Sequence, residues 1–249
     1  MLFLRNHLGL QKKLLSCAML LWAAAAAAGG SAHLQDADVD VFDIHSVRRG
    51  AEYYVSYCIG CHSVKHLRYS RFADDYGLSE QELSKSIMMA DARVHDTMQT
   101  AMRARDGEIW FGVAPPDLSL IARSRGADWL YTYLKGFYLD PSRPTGSNNL
   151  VFFDVGMPNV LWELQGLQKP VYRKIAGVDA IDHLVPATQG RMTEEQFDQA
   201  VNDIVNFLVY AAEPGQLQRI RSGKYVLFGL LIFVVLFYKL KKVYWKGIN

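Results

Sequence analysis

A Cys-x-x-Cys-His pentapeptide at residues 58–62 constrains the fold of this 249-residue chain more than any other feature. Two thiols three positions apart on one helical turn can form thioether bonds to a haem edge, and the next imidazole then lies beneath the iron. Dithiol redox sites and half zinc sites share the cysteine spacing, but neither needs this histidine, and zinc needs further ligands. The only other cysteine is Cys17. The motif therefore predicts one covalently bound haem c per chain, held by Cys58 and Cys61 and ligated by His62.

The N-terminus predicts export, which agrees with covalent haem attachment outside the bacterial cytoplasm. Basic residues precede an apolar run at residues 14–28, and Gly30-Ser31-Ala32 offers the small residues of a cleavage site. We expect residues 1–32 to be a signal peptide. A retained membrane anchor is the alternative, although the run is short and rich in alanine.

A second apolar run, residues 225–238, contains no charged residue and is followed by several lysines. It is shorter than the ~20 residues that a spanning helix prefers, so the flanking Lys224 and Lys239 would have to snorkel. We expect residues 215–249 to form a transmembrane anchor with a short cytoplasmic tail, because basic residues favour the cytoplasmic side. A buried helix of a soluble protein is the alternative.

The stretch between these two segments, residues 33–214, is predicted to be one haem domain, and it is acidic. All 25 Asp and Glu lie within residues 36–213 with only 17 of the 27 Lys and Arg, which gives a formal net charge of −8. Such a charge repels nucleic acid and attracts cationic proteins. Solubility is one interpretation, and docking of a small basic electron carrier is a sharper one. The carboxylates that would contribute to docking are those of Asp36, Asp38, Asp40, Asp43, Asp74 and Asp75.

Helical signals dominate the predicted haem domain. Residues 140–158 show no period, and we expect them to form loops that are ordered around the haem. The second predicted helix runs toward Ala90, and Glu213-Pro214-Gly215 ends the last one. The predicted helices begin at or before Ser46, at the capping box Ser79-x-x-Glu82, near Trp129, and at the capping box Thr193-x-x-Gln196.

The second axial ligand decides the chemistry of an iron bound to His62. A methionine raises the reduction potential and closes the iron to exogenous ligands, whereas a histidine lowers the potential. An open position permits oxygen or peroxide chemistry. Met157 is well placed, because the Gly156-Met157-Pro158 turn can project a thioether into a crevice. Other methionines are typical of packing, including Met88 and Met89 on a helical run. The remaining alternatives are Met98, Met102, Met192, His66, His95 and His183.

Four features in this order resemble the cytochrome c1 family over nearly the whole mature chain. They are the haem motif, Ala114-Pro115-Pro116-Asp117-Leu118-Ser119, Gly156-Met157-Pro158, and a closing amphipathic helix followed by an anchor. The resemblance implies a mainly α fold, a class I cytochrome c-like haem domain with long ordered loops and one C-terminal transmembrane helix.

The resemblance also implies roles for individual residues. It makes Met157 the distal iron ligand and Arg125, in preference to Arg123, the partner of a haem propionate, which a guanidinium can hold bidentately. The carbonyls of Pro115 and Pro116 are candidate acceptors for the ring N–H of His62, which would fix the tautomer.

The implied function is electron transfer within the cytochrome bc1 complex, the ubiquinol–cytochrome c oxidoreductase. The implied partners are cytochrome b, the Rieske iron–sulfur protein that supplies the electron, a cytochrome c that accepts it, and membrane lipid. The implied location is the bacterial inner membrane, with the haem domain in the periplasm and the C-terminus in the cytoplasm. Competing interpretations are a haem peroxidase, which needs an open iron and distal acid–base groups, and a gas or redox sensor.

Overall fold

The computed structural model describes residues 34–175 and 177–247, so the predicted signal peptide lies outside the described residues. The domain boundaries at residues 32 and 214 stay predictions. The helices are α1 (Ile44–Tyr57), α2 (Tyr69–Tyr76), α3 (Glu80–Ser86), α4 (Ala104–Phe111), α5 (Ile121–Arg125), α6 (Ala127–Lys135), α7 (Trp162–Gln165), α8 (Glu194–Ala212) and α9 (Gln216–Tyr244). The strands are β1 (Val64–Arg68), β2 (Thr97–Met98), β3 (Phe137–Leu139), β4 (Ser147–Asn149), β5 (Gln168–Ile175) and β6 (Val178–Pro186).

Helices α1, α3 and α8 begin where a side chain accepts from free N–H groups of the first turn. The Asp43 carboxylate accepts the two N–H groups that open α1, and the predicted capping boxes at Ser79 and Thr193 are both present. The predicted extension of α3 toward Ala90 is wrong. That helix ends at Ser86, where the Met88 N–H donates to the Leu83 carbonyl and closes the last turn. Met88 and Met89 therefore lie beyond the helix on which we expected them.

Helices α1 and α8 cross in close contact and build the main core. Gly50 makes the crossing possible, since a Cβ atom at this position would lie only 1.9 Å from the backbone oxygen of Asp203. The buried Asp203 carboxylate accepts hydrogen bonds from the Ser46 hydroxyl at 2.6 Å and from Arg49 Nε at 2.6 Å. The two helices are thus joined by backbone proximity and by a hydrogen-bonded buried charge.

Aromatic side chains fill the core beside this crossing. Tyr54 of α1 packs on Phe207 of α8 with ring centroids 5.2 Å apart. Phe72 of α2 meets Phe207 and Tyr210 edge-on at 5.9 and 5.7 Å. Edge-to-face contacts of this kind add to the burial of apolar area, so α1, α2 and α8 form one packed unit that carries the Cys58–His62 turn at its edge.

Three antiparallel pairs of strands were not predicted. They join β1 to β2, β3 to β4, and β5 to β6, and the last pair is a hairpin whose turn contains Gly177 at φ 84°. Met98 lies in β2 and is fully buried, so it packs as expected but from a strand. Strands β2, β3 and β4 have only two or three residues, too few to show an alternating pattern, and the burial of the longer β6 does not alternate.

Helix α9 is 29 residues long and exposes the apolar side chains of residues 225–238. Within the described residues, we find no helix whose length and apolar character suffice to cross a membrane. The predicted transmembrane helix is therefore not confirmed.

Candidate haem-binding site

The haem motif forms a tight turn at the end of α1. The N–H groups of Cys61 and His62 donate to the Cys58 carbonyl at 3.0 and 2.8 Å, which continues the helical direction for one more turn. The Tyr54 hydroxyl donates to the His62 carbonyl at 2.6 Å, and the Thr100 hydroxyl donates to the Gly60 carbonyl at 2.8 Å. Hydrogen bonds from two other parts of the chain thus hold the turn in place.

Neither Cys58 nor Cys61 forms a disulfide bond with a described residue. Cys58 is 8% exposed and Cys61 is half-buried, so the two sulfur atoms lie between the protein interior and its surface. Burial raises the pKa of the Cys58 thiol to about 12, so this thiol is neutral at physiological pH. A buried thiol beside a partly accessible one suits attachment to the edge of a large apolar group.

The imidazole of His62 is oriented by the Pro116 carbonyl, whose oxygen lies 2.7 Å from Nδ1. Because a carbonyl can only accept, Nδ1 carries the proton and donates, and the lone pair of Nε2 remains for a metal ion. Burial lowers the pKa of the His62 imidazole below its ordinary value, which favours the neutral ring that a metal requires.

The segment that carries Pro116 is fastened to the strand that follows the haem motif. The Leu118 N–H donates to the Ser63 carbonyl at 2.8 Å. The Asp117 carboxylate accepts the Lys65 N–H at 3.1 Å, and the Ser119 hydroxyl oxygen accepts the His66 N–H at 3.1 Å. The Pro-Pro-Asp-Leu-Ser sequence therefore places the Pro116 carbonyl against His62 by pairing with the chain just beyond it.

Met157 lies in an aromatic cluster with Arg125. The Tyr133 hydroxyl donates to Met157 Sδ at 3.3 Å, and the Tyr133 ring stacks on Trp129 with centroids 4.8 Å apart. The Arg125 guanidinium lies over the Trp129 ring at 5.1 Å and over the Phe152 ring at 5.8 Å. The structure thus brings Met157 and Arg125 together, although the sequence separates them by more than thirty residues.

The chain that runs from the end of α4 to Pro116 contacts both the turn that carries Met157 and the imidazole of His62. A Cβ atom on Gly156 would lie 2.8 Å from Val113 Cγ1, so the Met157 turn packs directly against this segment. The same segment continues through Pro115, whose ring packs against Gly107 of α4, to the Pro116 carbonyl at His62. Because residues 111–116 contact both the Met157 turn and the His62 ring, this segment fixes where the thioether lies relative to the imidazole.

The other potential axial ligands are placed differently. Met192 packs against the hydrophobic core, and Met98 is buried in β2. The histidines predicted as alternatives, His66, His95 and His183, are exposed. Met102 also lies in a loop and is half-buried, but among the described residues Met157 is the methionine whose sulfur accepts a hydrogen bond, from the Tyr133 hydroxyl.

Three consecutive polar residues order the loop around Met157, and sequence reasoning missed them. The buried Asn148 side-chain oxygen accepts the Asp154 N–H at 3.0 Å, and the buried Asn149 side-chain oxygen accepts the Val151 N–H at 3.0 Å. The Ser147 hydroxyl oxygen accepts the Asn159 N–H at 3.2 Å. We expected the haem to order this stretch. Side-chain hydrogen bonds from β4 contribute to this order, and the Ser-Asn-Asn run was the available signal; the contribution of the haem stays a prediction.

These residues fit a covalently attached haem. The thiols of Cys58 and Cys61 lie one turn apart, and His62 offers Nε2 from an oriented ring. Tetrahedral zinc needs additional nitrogen, sulfur or oxygen ligands. Nowhere in the described ranges do three or more His, Cys, Asp or Glu side chains gather so that they could hold a metal ion.

Known proteins resemble this chain over nearly its whole length. A family model described as Cytochrome C1 family matches residues 35–248. The chain is 45% identical over 243 residues to "Cytochrome c1" of Allochromatium vinosum, which covers 96% of this chain and 100% of that protein. It is 42% identical over 238 residues to "Ammonia monooxygenase gamma subunit" of Nitrosomonas europaea, with coverage of 96% and 98%. A solved chain of "Hyperthermophilic respiratory Complex III" aligns with 97% of this chain and 99% of that chain at 15% identity and a TM-score of 0.38, which is too weak a likeness to carry an argument.

Proposed function

The chain belongs to the cytochrome c1 family, and from this membership and the site geometry we propose that it is the electron-transfer subunit of a ubiquinol–cytochrome c oxidoreductase, the bc1 complex. The observation that carries the proposal is the 2.7 Å contact between His62 Nδ1 and the Pro116 carbonyl at a Cys-x-x-Cys-His turn. That contact leaves Nε2 free for the iron of haem c, the cofactor of this family. The chain alone is an electron carrier, and the oxidoreductase activity belongs to the complex.

We assign each site residue one task. Cys58 and Cys61 hold haem c through thioether bonds, while His62 and Met157 supply the two axial ligands. The bound haem supplies a one-electron ferric–ferrous couple. With the His62 imidazole and the Met157 thioether both given to the iron, the chain would leave no position there for a substrate, and the chemistry that haem c would supply is electron transfer. A peroxidase or a ligand-exchanging sensor would instead require an open or easily opened sixth position.

The proposed partners follow from family membership. The electron arrives from the Rieske iron–sulfur protein, cytochrome b is the membrane neighbour, and a cytochrome c accepts the electron. We also propose that α9 anchors the chain in the inner membrane, with the haem domain in the periplasm and the C-terminus in the cytoplasm. The uncharged run, residues 225–238, is only about 21 Å long at 1.5 Å per residue, so Lys224 and Lys239 would have to snorkel to span a core of about 30 Å. Its exposed apolar side chains support contact with lipid.

Arg125 is the better choice for a propionate partner. Arg123 already pairs with Glu213, whose Oε2 lies 3.2 Å from Nη1. Arg125 forms no ion pair with the described residues and lies in the aromatic cluster that holds Met157. A propionate carboxylate would give its guanidinium the anionic partner that it lacks within this part of the chain.

We expect Arg125→Ala to lower the midpoint potential. Loss of the cation leaves a propionate charge uncompensated, and a negative charge stabilises the ferric state, which is the more positive one. Because the Arg125 side chain is exposed, water screens part of the effect, and we expect the potential to fall by roughly tens of millivolts. For a one-electron couple, about 59 mV corresponds to a tenfold change in the reduction equilibrium constant. Redox titration measures the shift. Arg123→Ala is the matched control, and a larger shift in that control would show that Arg123 is the partner.

The carboxylates proposed for docking differ in availability. Asp75 accepts hydrogen bonds from the Tyr210 hydroxyl at 2.8 Å and from Arg71 at 2.7 Å, and Asp43 caps α1. Asp36, Asp38 and Asp74 are exposed, and their carboxylates form no hydrogen bonds to the described residues. The last three are therefore the better candidates for contact with a basic partner.

The proposed function predicts a salt-dependent electron transfer to a cationic cytochrome c. The acidic domain steers the encounter, and added salt weakens that steering because the Debye length falls from about 10 Å at 0.1 M to about 3 Å at 1 M. The reduced full-length protein in detergent is mixed with a cationic or an anionic cytochrome c, and the bimolecular rate is followed across a salt series. We expect the rate to fall at least about tenfold with the cationic partner and to stay flat or rise with the anionic one.

Charge-neutralising variants identify the surface that docks. Asp36→Asn with Asp38→Asn tests one cluster, and Asp74→Asn tests the other. A flat salt curve for both partners in the wild type would refute docking by charge. Absence of any electron transfer to either cytochrome c would count against the proposed function itself.

A further inference from the structure

The hydroxyl of Tyr133 contacts the sulfur atom of Met157. The Tyr133 hydroxyl lies 3.3 Å from Met157 Sδ, which is its only hydrogen bond to the described residues. A phenol hydroxyl is a hydrogen-bond donor at neutral pH, and a thioether sulfur can accept from it.

The Tyr133 ring has little freedom to move. It stacks on Trp129 at 4.8 Å with an interplanar angle of 11°, and it meets Phe137 edge-on at 5.1 Å. Its backbone carbonyl accepts the Asn149 side-chain N–H at 2.8 Å.

The same asparagine also holds the loop that leads to Met157. The Asn149 side-chain oxygen accepts the N–H groups of Val151 and Phe152 at 3.0 and 3.3 Å. The buried Asn149 side chain therefore hydrogen-bonds both to the helix that carries the Tyr133 hydroxyl and to the loop that leads to the Met157 sulfur. A methionine side chain has three rotatable bonds, so a fixed donor at its sulfur restricts an otherwise adaptable group.

The geometry points to Tyr133 as a positioning residue for the Met157 thioether, which it orients and whose electron density it withdraws; this inference rests on the proposed role of Met157 as an iron ligand. A thioether sulfur has two lone pairs, so it can accept from the hydroxyl and still donate to iron. A sulfur that also accepts a hydrogen bond is the poorer donor to ferric iron. The contact therefore favours the ferrous state and raises the potential.

The test is Tyr133→Phe in the haem-loaded, full-length protein, because this change removes the hydroxyl and keeps the ring in its stack. The matched control is Tyr131→Phe on the same helix, whose hydroxyl contacts Lys135 Nζ at 3.3 Å. We expect the sulfur-to-iron charge-transfer band of the ferric Tyr133→Phe protein to persist and to move to longer wavelength. We expect its reduction equilibrium to be about fivefold less favourable than in the control, a shift of about 40 mV for one electron.

For a second variant we expect a shift of the midpoint potential in the opposite direction. A fluorinated tyrosine at position 133 keeps the shape of the side chain and is a stronger donor, so it should raise the potential. A role confined to packing would change thermal stability but leave the band and the potential equal to those of Tyr131→Phe, which would overturn the inference. Met157→Leu tests the ligand role of Met157 separately from the positioning role of Tyr133. Retention of the sulfur-to-iron band in that variant would refute Met157 as the ligand. Loss of the band would support Met157 as the ligand, and the Tyr133 variants would then decide the role of Tyr133.

Discussion

Replacement of Met157 by leucine should leave haem covalently attached while it opens the iron to carbon monoxide. The thioether bonds depend on Cys58 and Cys61, which the substitution does not touch, whereas leucine has no lone pair to offer the metal. We expect the sulfur-to-iron band to disappear and the midpoint potential to fall by well over about 59 mV, one tenfold step, since a thioether ligand raises the potential. Absorption spectra with and without carbon monoxide, and a redox titration, measure these changes.

The fold should survive this change. Leucine and methionine have similar volumes, and such exchanges usually cost less than about 1.5 kcal/mol of unfolding free energy. Met192→Leu is the matched control, because Met192 packs on the core and should be spectroscopically silent. A Met157→Leu protein with an unchanged potential and no carbon monoxide binding would assign the ligand elsewhere, and loss of the band in Met192→Leu would assign it there.

Features that depend on short sequence spacing could be predicted from this chain. The Cys58–His62 motif, the capping boxes at Ser79 and Thr193, and the stop after Ala212 each involve residues within one or two helical turns. Local hydrogen bonds decide such features, and the sequence displays the residues that make them. The cytochrome c1 resemblance then supplied the family, which the comparisons confirm.

Features that depend on contacts between distant residues could not be predicted. The contact of Tyr133 with Met157 spans 24 residues, and the Asp203 network spans more than 150. Residues 140–158 have no period because buried asparagine side chains, and not a helix or a long strand, satisfy their backbone groups. Periodicity reports burial within an element, so it gave no signal where isolated polar side chains organise a loop.

Gly50→Ala should strongly destabilise the domain. The new Cβ would lie 1.9 Å from the Asp203 carbonyl oxygen and 2.9 Å from Phe207 Cβ, far inside the contact distance. Helices α1 and α8 would have to separate, which stretches the hydrogen bonds that Ser46 and Arg49 make to the buried Asp203 carboxylate. Overpacking costs about 1–3 kcal/mol, and a weakened partner for a buried charge adds to it, so we expect a loss of about 3 kcal/mol or more.

Denaturant unfolding of the haem-loaded protein measures this loss, with Gly223→Ala in α9 as the control. A Cβ at position 223 would meet no atom within 4 Å, and alanine favours a helix interior over glycine by about 0.5–1 kcal/mol, so the control should be neutral or slightly stabilised. Because α1 ends in the Cys58–His62 turn, a shift of α1 should also disturb the His62 contact with Pro116 and change the haem spectrum. If Gly50→Ala had the wild-type free energy of unfolding, α1 and α8 could separate at little energetic cost. The close crossing of these two helices would then not be what holds the Cys58–His62 turn in place.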